Sequence, residues 1–116
     1  MITRVSVGHK FISVNVVITD RRGKPQDPTL AEIEICRVSQ IDGSLTIATE
    51  IGVNGMLTMT KQNNKTGFYG AAIDTEILGE GEYVIEYRIE VGPLKSAAID
   101  YFSVGQIEKP GIILYK

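Results

Sequence analysis

The chain has 116 residues, with twelve basic side chains against fourteen acidic ones and a net charge of −2. That length suits a single domain with its own apolar core, and the lone Cys36 excludes an intrachain disulfide as a staple. The charges are interspersed and form no basic stripe for a phosphate backbone, which argues against nucleic acid as a partner. No apolar run approaches the roughly 20 residues of a membrane-spanning helix.

Twelve glycines and four prolines cut the sequence into short segments, the spacing of an all-β sandwich or barrel. Met1 to Val7 lacks the apolar stretch of a secretory signal, which predicts a protein that stays in the cytoplasm or leaves it by lysis or a dedicated machine. Ile2 to Val7 reads as a first strand ended by Gly8-His9-Lys10, and Phe11 to Thr19 as a second, with Ile12, Val14, Val16 and Ile18 on one face. Asp20-Arg21-Arg22-Gly23-Lys24-Pro25 is a turn: Asp bonds its own backbone, Gly supplies the positive φ, and Pro is excluded from a central strand. Asp27-Pro28 has the chemistry of a helix start, Asp at N-cap and Pro at N1, which predicts a brief helical turn.

Ala31 to Gln40 is the next predicted strand, with Ile33 and Ile35 inward and Glu32 and Glu34 on the wetter side. Asp42-Gly43 and Asn54-Gly55 are hairpin signals, because both central positions of a type I′ turn need φ > 0. They bracket a strand over Leu45–Val53 and lead into another over Met56–Lys61. Gln62 to Gly67 is a polar loop. Phe68 to Thr75 follows, its Gly70, Ala71 and Ala72 leaving room for a close neighbour, and Glu76 to Gly81 crosses to the next strand without a helix.

From Glu82 to Val91 apolar and charged residues alternate. Tyr83, Ile85, Tyr87, Ile89 and Val91 point one way, and Glu82, Glu86, Arg88 and Glu90 the other, with Val84 the exception. A period of two marks a strand with one buried and one wet face, the signature of antiparallel rather than all-parallel sheets. Gly92-Pro93 turns the chain into a last strand over Lys95–Val104, with Ile99 and Tyr101 assigned to the core, as is Ile47 earlier in the chain.

Two stretches carry a family likeness. Val14 to Asp20 followed by Gly23-Lys24-Pro25 is one; Thr66-Gly67-Phe68-Tyr69 through Ile73-Asp74-Thr75, Leu78, Gly81-Glu82-Tyr83 and Asp100 to Val104 is the other. Together they resemble the small immunoglobulin-like β-sandwich modules of bacterial surface proteins and of tailed-phage or prophage structural proteins, in which an Asp-x-x-Gly-x-Pro turn and a Leu-x-x-Gly-x-Tyr corner recur. The resemblance implies an immunoglobulin-like antiparallel sandwich of about seven to nine strands and a place in a phage-like or other homo-oligomeric assembly. It also puts Tyr83 at a tyrosine corner, its hydroxyl bonding backbone near Leu78. The absence of a Cys pair and of any Trp departs from antibody domains.

Little in the sequence carries reaction chemistry. His9 is the one histidine, set beside Lys10 in a turn and without a serine-nucleophile motif elsewhere to serve. Cys36 among Ile33, Ile35 and Val38 reads as a small buried hydrophobe. Gly79-Glu80-Gly81 and Gly52 to Gly55 open no helix that would hold a phosphate. Asp20, Asp27 and Asp74 are scattered, and the nearest approach to a carboxylate cluster is Glu76, Glu80 and Glu82, together with Asp74. Asn64-Lys65-Thr66 matches a glycosylation sequon without a secretory signal.

The expected organisation is a sandwich over residues 1–105 and a C-terminal tail or added strand over 106–116. In the tail, Ile112, Ile113, Leu114 and Tyr115 form an apolar run whose burial is worth ~1.5–3 kcal/mol per side chain, so these residues are the candidate interaction segment. They should lie on the domain's own groove, add a strand to an open sheet edge or dock on another subunit, the alternative to an assembly arm being a strand of its own domain. The expected function is a non-enzymatic structural or protein-interaction module. It would use no cofactor, no metal and no catalytic residue, and would contact a protein partner or itself through edge strands and the C-terminal tail, without nucleic acid or membrane. The alternative is a carbohydrate- or ligand-binding accessory module using the loops at Asn63–Thr66 or Glu76–Glu82.

Overall fold

The computed structural model describes residues 2–6 and 11–105; Met1, residues 7–10 and residues 106–116 lie outside the described residues. Among the described residues nine strands and one short helix follow in order: β1 Ile2–Ser6, β2 Phe11–Val17, β3 Leu30–Val38, β4 Leu45–Ile47, β5 Met56–Thr58, β6 Thr60–Lys61, β7 Phe68–Asp74, α1 Thr75–Leu78, β8 Gly81–Val91 and β9 Leu94–Gly105. They form a mostly antiparallel all-β sandwich. The larger sheet runs β1-β9-β8-β3-β4, with β5 also on β3, and the smaller runs β2-β7-β6. One pair departs from the antiparallel expectation: β1 runs parallel to β9, Ile2 opposite Tyr101 and Ser6 opposite Gly105.

The alternation of β8 sets the larger sheet. Its register with β3 places Ile35 opposite Ile85, Ile33 opposite Tyr87 and Ala31 opposite Ile89, so the inner face of the two neighbouring strands is apolar from Ala31 to Ile35. Val14 and Ile73 from the smaller sheet meet that face, and Ala48, Ile51, Met59, Leu78, Phe102 and Val104 complete the core. Of the residues expected inside, Ile47, Ile99 and Tyr101 are exposed. Register explains the last two: Tyr83 pairs with Phe102 and Ile85 with Asp100, which gives the inner face of β9 to Asp100, Phe102 and Val104 and turns Ile99 and Tyr101 outward. A one-residue change of phase inverts every side chain of a strand.

The turns divide by chemistry. Asn54 and Gly55 both take positive φ, 53° and 86°, and Val53 and Met56 exchange backbone hydrogen bonds across them, a type I′ turn as expected. Asp42-Gly43 differs: only Gly43 is left-handed, and the connection spans Ser39 to Ser44, closed by the Ser39 N–H donating to the Ser44 carbonyl at 2.8 Å. The predicted strand over Leu45–Val53 stops at Ile47 because Ala48 and Ile51 dip into the core. The strand over Met56–Lys61 splits at buried Met59, where the chain leaves the larger sheet for the smaller.

The helical turn expected at Asp27-Pro28 does not form. Asp27 instead reaches across the sandwich, accepting from the Gly67 N–H and from Lys61 Nζ, each at 2.9 Å. The only helix among the described residues is α1, where a plain crossing was expected; Asp74 caps it by accepting from the Glu76 and Ile77 amides.

Candidate interaction surface

Strand β2 pairs with β7 on one side and, among the described residues, with nothing on the other. The Ile18 N–H donates to the Gly67 carbonyl at 2.8 Å, in phase with the register that sets Val16 opposite Tyr69. Hydrogen-bonded and non-bonded pairs alternate along an antiparallel ladder. Ile12, Val14 and Val16 therefore bond to β7, while the backbone N–H and C=O groups of Phe11, Ser13, Asn15 and Val17 face the unpaired side. On the paired side the fit is close: a Cβ on Gly70 would lie 2.5 Å from Asn15 Oδ1 and 3.0 Å from the Val14 carbonyl oxygen. Gly70 thus provides the close approach anticipated from the run of small residues.

The unpaired edge borders a groove floored by β8 and β9. Its larger part, about 570 Å³, is lined by Val16 and Ile18 on one side and by Tyr87, Ile89, Leu94 and Ala98 on the other. A second hollow of about 210 Å³ continues along the same edge between Ile12, Val14, Ile85, Asp100 and Phe102. The cause lies in β9. Opposite Tyr87 and Ile89 it carries only Ala98 and Ser96, whereas opposite Tyr83 it carries Phe102. Small inward residues on β9 leave the space that a further strand or ligand would fill. Apolar surface stands on both faces of the edge: Ile12 and Val16 are partly buried toward the groove, and Phe11 and Val17 are 57% and 53% exposed.

The opposite end of β8 is closed. Tyr83 is fully buried, and its hydroxyl is within donating distance of two carbonyl oxygens, that of Leu78 at 2.7 Å and that of Gly79 at 2.9 Å. Its ring stacks on Phe102 with centroids 5.1 Å apart. Arg37 lies over that ring at 5.5 Å, donates to the Leu78 carbonyl at 3.2 Å and pairs with Glu50. That pairing raises the Arg37 pKa and lowers that of Glu50. This is the tyrosine corner expected at Leu78-x-x-Gly81-x-Tyr83.

The polar residues noted in the sequence have structural partners. Asp20 accepts from the Arg22 and Lys24 amides at 2.8 and 2.9 Å, and Asp42 from the Ser44 amide at 3.0 Å. Asp74 caps α1, so it does not gather with Glu76, Glu80 and Glu82; among the described residues no group of three His, Cys, Asp or Glu side chains is placed to hold a metal ion. Asn63 and Asn64 take left-handed φ in the 62–67 loop, and Lys65 stacks over Phe68 at 4.6 Å. Cys36 is half-buried on the outer face of the larger sheet, between Ile47 and Val84, rather than in the core. Burial, then the Glu34 and Glu86 charges, push its thiol pKa up, away from a reactive thiolate. His9 and the candidate segment Ile112–Tyr115 lie outside the described residues.

The groove was missed in the sequence. Its one local signal is Ser96-Ala97-Ala98, small residues in a strand whose partner carries Tyr87 and Ile89. No helix among the described residues is long and apolar enough to cross a membrane. Comparison with protein-family models and with curated proteins found no match.

Proposed function

We propose that this chain is a non-enzymatic, immunoglobulin-like interaction module that assembles with other copies of itself, as a structural protein of a phage-like or similar assembly does. The observation that carries this reading is the unpaired β2 edge above an apolar groove, since an open edge offers a row of backbone donors and acceptors to an incoming strand. The strand order supports the immunoglobulin-like description: a small β2-β7-β6 sheet packs against a larger one in which β8, β9 and β3 are neighbours. The use of Asp20, Asp27, Asp42 and Asp74 as braces for backbone amides supports a structural rather than a catalytic role for the loops.

Sedimentation velocity over a range of concentrations tests the reading. A mass above one chain that falls on dilution is expected; a single-chain mass at every concentration would refute self-association. A second reading, a ligand-binding accessory module, is favoured by the groove volume of about 570 Å³, within the range of small-molecule sites. It predicts a monomer whose thermal unfolding rises with added ligand.

A further inference from the structure

We infer that the groove beside β2 receives residues Ile112–Tyr115 of a second copy of this chain as an added strand. This rests on the self-assembly reading above and assigns its two contact surfaces. Three features of the edge define the occupant. It must be extended, because the available partners are the alternate backbone groups of Phe11, Ser13, Asn15 and Val17. It must be apolar toward the groove, where Ile12, Val16, Tyr87 and Ala98 wait. It must also be apolar on its other face, because Phe11 and Val17 stand exposed there.

A strand that alternates apolar and polar residues meets only one of the last two demands. Ile112-Ile113-Leu114-Tyr115, apolar at four successive positions, meets both: Ile112 and Leu114 fall on one face and Ile113 and Tyr115 on the other. At about 3.3 Å per residue these four positions span ~13 Å, the length of four successive edge residues such as Ser13 to Val16. Pro110-Gly111 immediately before the run bars continuation of any preceding strand and lets the chain change direction.

The choice of a second copy over the chain's own groove follows from direction. Phe11 is paired with Asp74, the residue that caps α1, so β2 starts at the α1 end of the sandwich. Strand β9 finishes at that same end, Val104 pairing with Gly81. A tail entering its own groove from there runs parallel to β2, the pairing that is slightly less stable per residue. A tail arriving from another copy is free to lie antiparallel.

The test uses the full chain. Leu114→Asp places a charge in the arm. Ser13→Pro removes one outward-facing amide of β2 while sparing the bonds to β7, a position where an edge strand tolerates proline. Both variants are expected to sediment as monomers where the parent is a multimer, with unchanged far-ultraviolet spectra. In a Cys36→Ala background, a chain carrying Ser13→Cys mixed with one carrying Leu114→Cys should form a mixed disulfide-linked dimer on mild oxidation. At equal total protein that product should exceed the same-variant dimers by at least about tenfold, given the effective concentration in a docked arm.

Four results would overturn the assignment. A multimer that persists in Leu114→Asp leaves the self-assembly reading standing and removes the arm. Loss of assembly in Leu114→Asp without the mixed disulfide moves the arm to another surface. A double variant, Ser13→Cys with Leu114→Cys, that closes an intrachain disulfide as a monomer places the arm in its own groove. A parent that is monomeric at every concentration refutes the self-assembly reading and this inference together.

Discussion

Tyr83 and Tyr87 lie on the same face of the same strand, yet one is sealed and the other faces a groove. Tyr83 has Phe102 beside it on β9, Arg37 above it and two carbonyl oxygens at its hydroxyl. Tyr87 has Ala98 beside it and an unpaired strand edge across from it. The difference is carried by the volume of the β9 partner rather than by β8, whose alternation is the same at both places. One end of the sandwich is a clasp and the other opens on a groove.

The sharpest way to break this comparison is to truncate each tyrosine. Tyr83→Ala should cost about 3–5 kcal/mol in denaturant unfolding, as other buried aromatic truncations do. Tyr83→Phe should cost about 1 kcal/mol, from the lost hydrogen bond. Tyr87→Ala should cost under half as much as Tyr83→Ala, and equal costs would contradict a closed end and an open one.

Added volume gives the converse test. Gly70→Ala on the paired side of β2 drives a methyl group against Asn15 Oδ1 and the Val14 carbonyl and should destabilise by about 1–3 kcal/mol. Ala98→Val in the groove has room for its methyl groups and should stay within about 0.5 kcal/mol of the parent. Chemical denaturation of the two variants side by side reads the contrast.

The smallest effect concerns the brace at Asp27. Its carboxylate is held below its ordinary pKa by the hydrogen bond from Lys61 and then by the Gly67 amide. A carboxylate with a lowered folded pKa binds its proton more readily in the unfolded chain. Its contribution is therefore complete above the ordinary value of 3.8 and is lost as pH falls through the depressed folded value. Asp27→Asn should flatten the acid limb of the stability profile between about pH 5 and 2, while its groove and clasp remain those of the parent. An acid limb of undiminished slope in that variant would remove Asp27 as its source.

Much of this fold was legible wherever one residue's chemistry decides a local geometry. Asp20 to Pro25, Asn54-Gly55 and the Tyr83 corner all formed as their residues require. Asp42-Gly43 carries nearly the same dipeptide as Asn54-Gly55, yet Ser39 closes a longer loop there, its Oγ accepting from the Ile41 amide. Short-range signals compete, and a serine three residues upstream decided this one. Ile99 and Tyr101 mislead because β9 alternates twice, once with apolar residues outward and once, from Phe102, with them inward. Only pairing with Tyr83 selects the phase. The groove was illegible for a related reason: it depends on Val16 of one sheet and Ala98 of the other lining one space, positions more than eighty residues apart.

Amide hydrogen exchange along β2 tests the central claim most directly, because neighbouring residues report on opposite edges of one strand. In concentrated, assembled protein both sets should be protected: Ile12, Val14 and Val16 through β7, and Ser13, Asn15 and Val17 through the incoming strand. On dilution to the single chain only the second set should speed up, by at least about tenfold. Ser13, Asn15 and Val17 exchanging at one unprotected rate in both states would contradict an edge that is built to be paired.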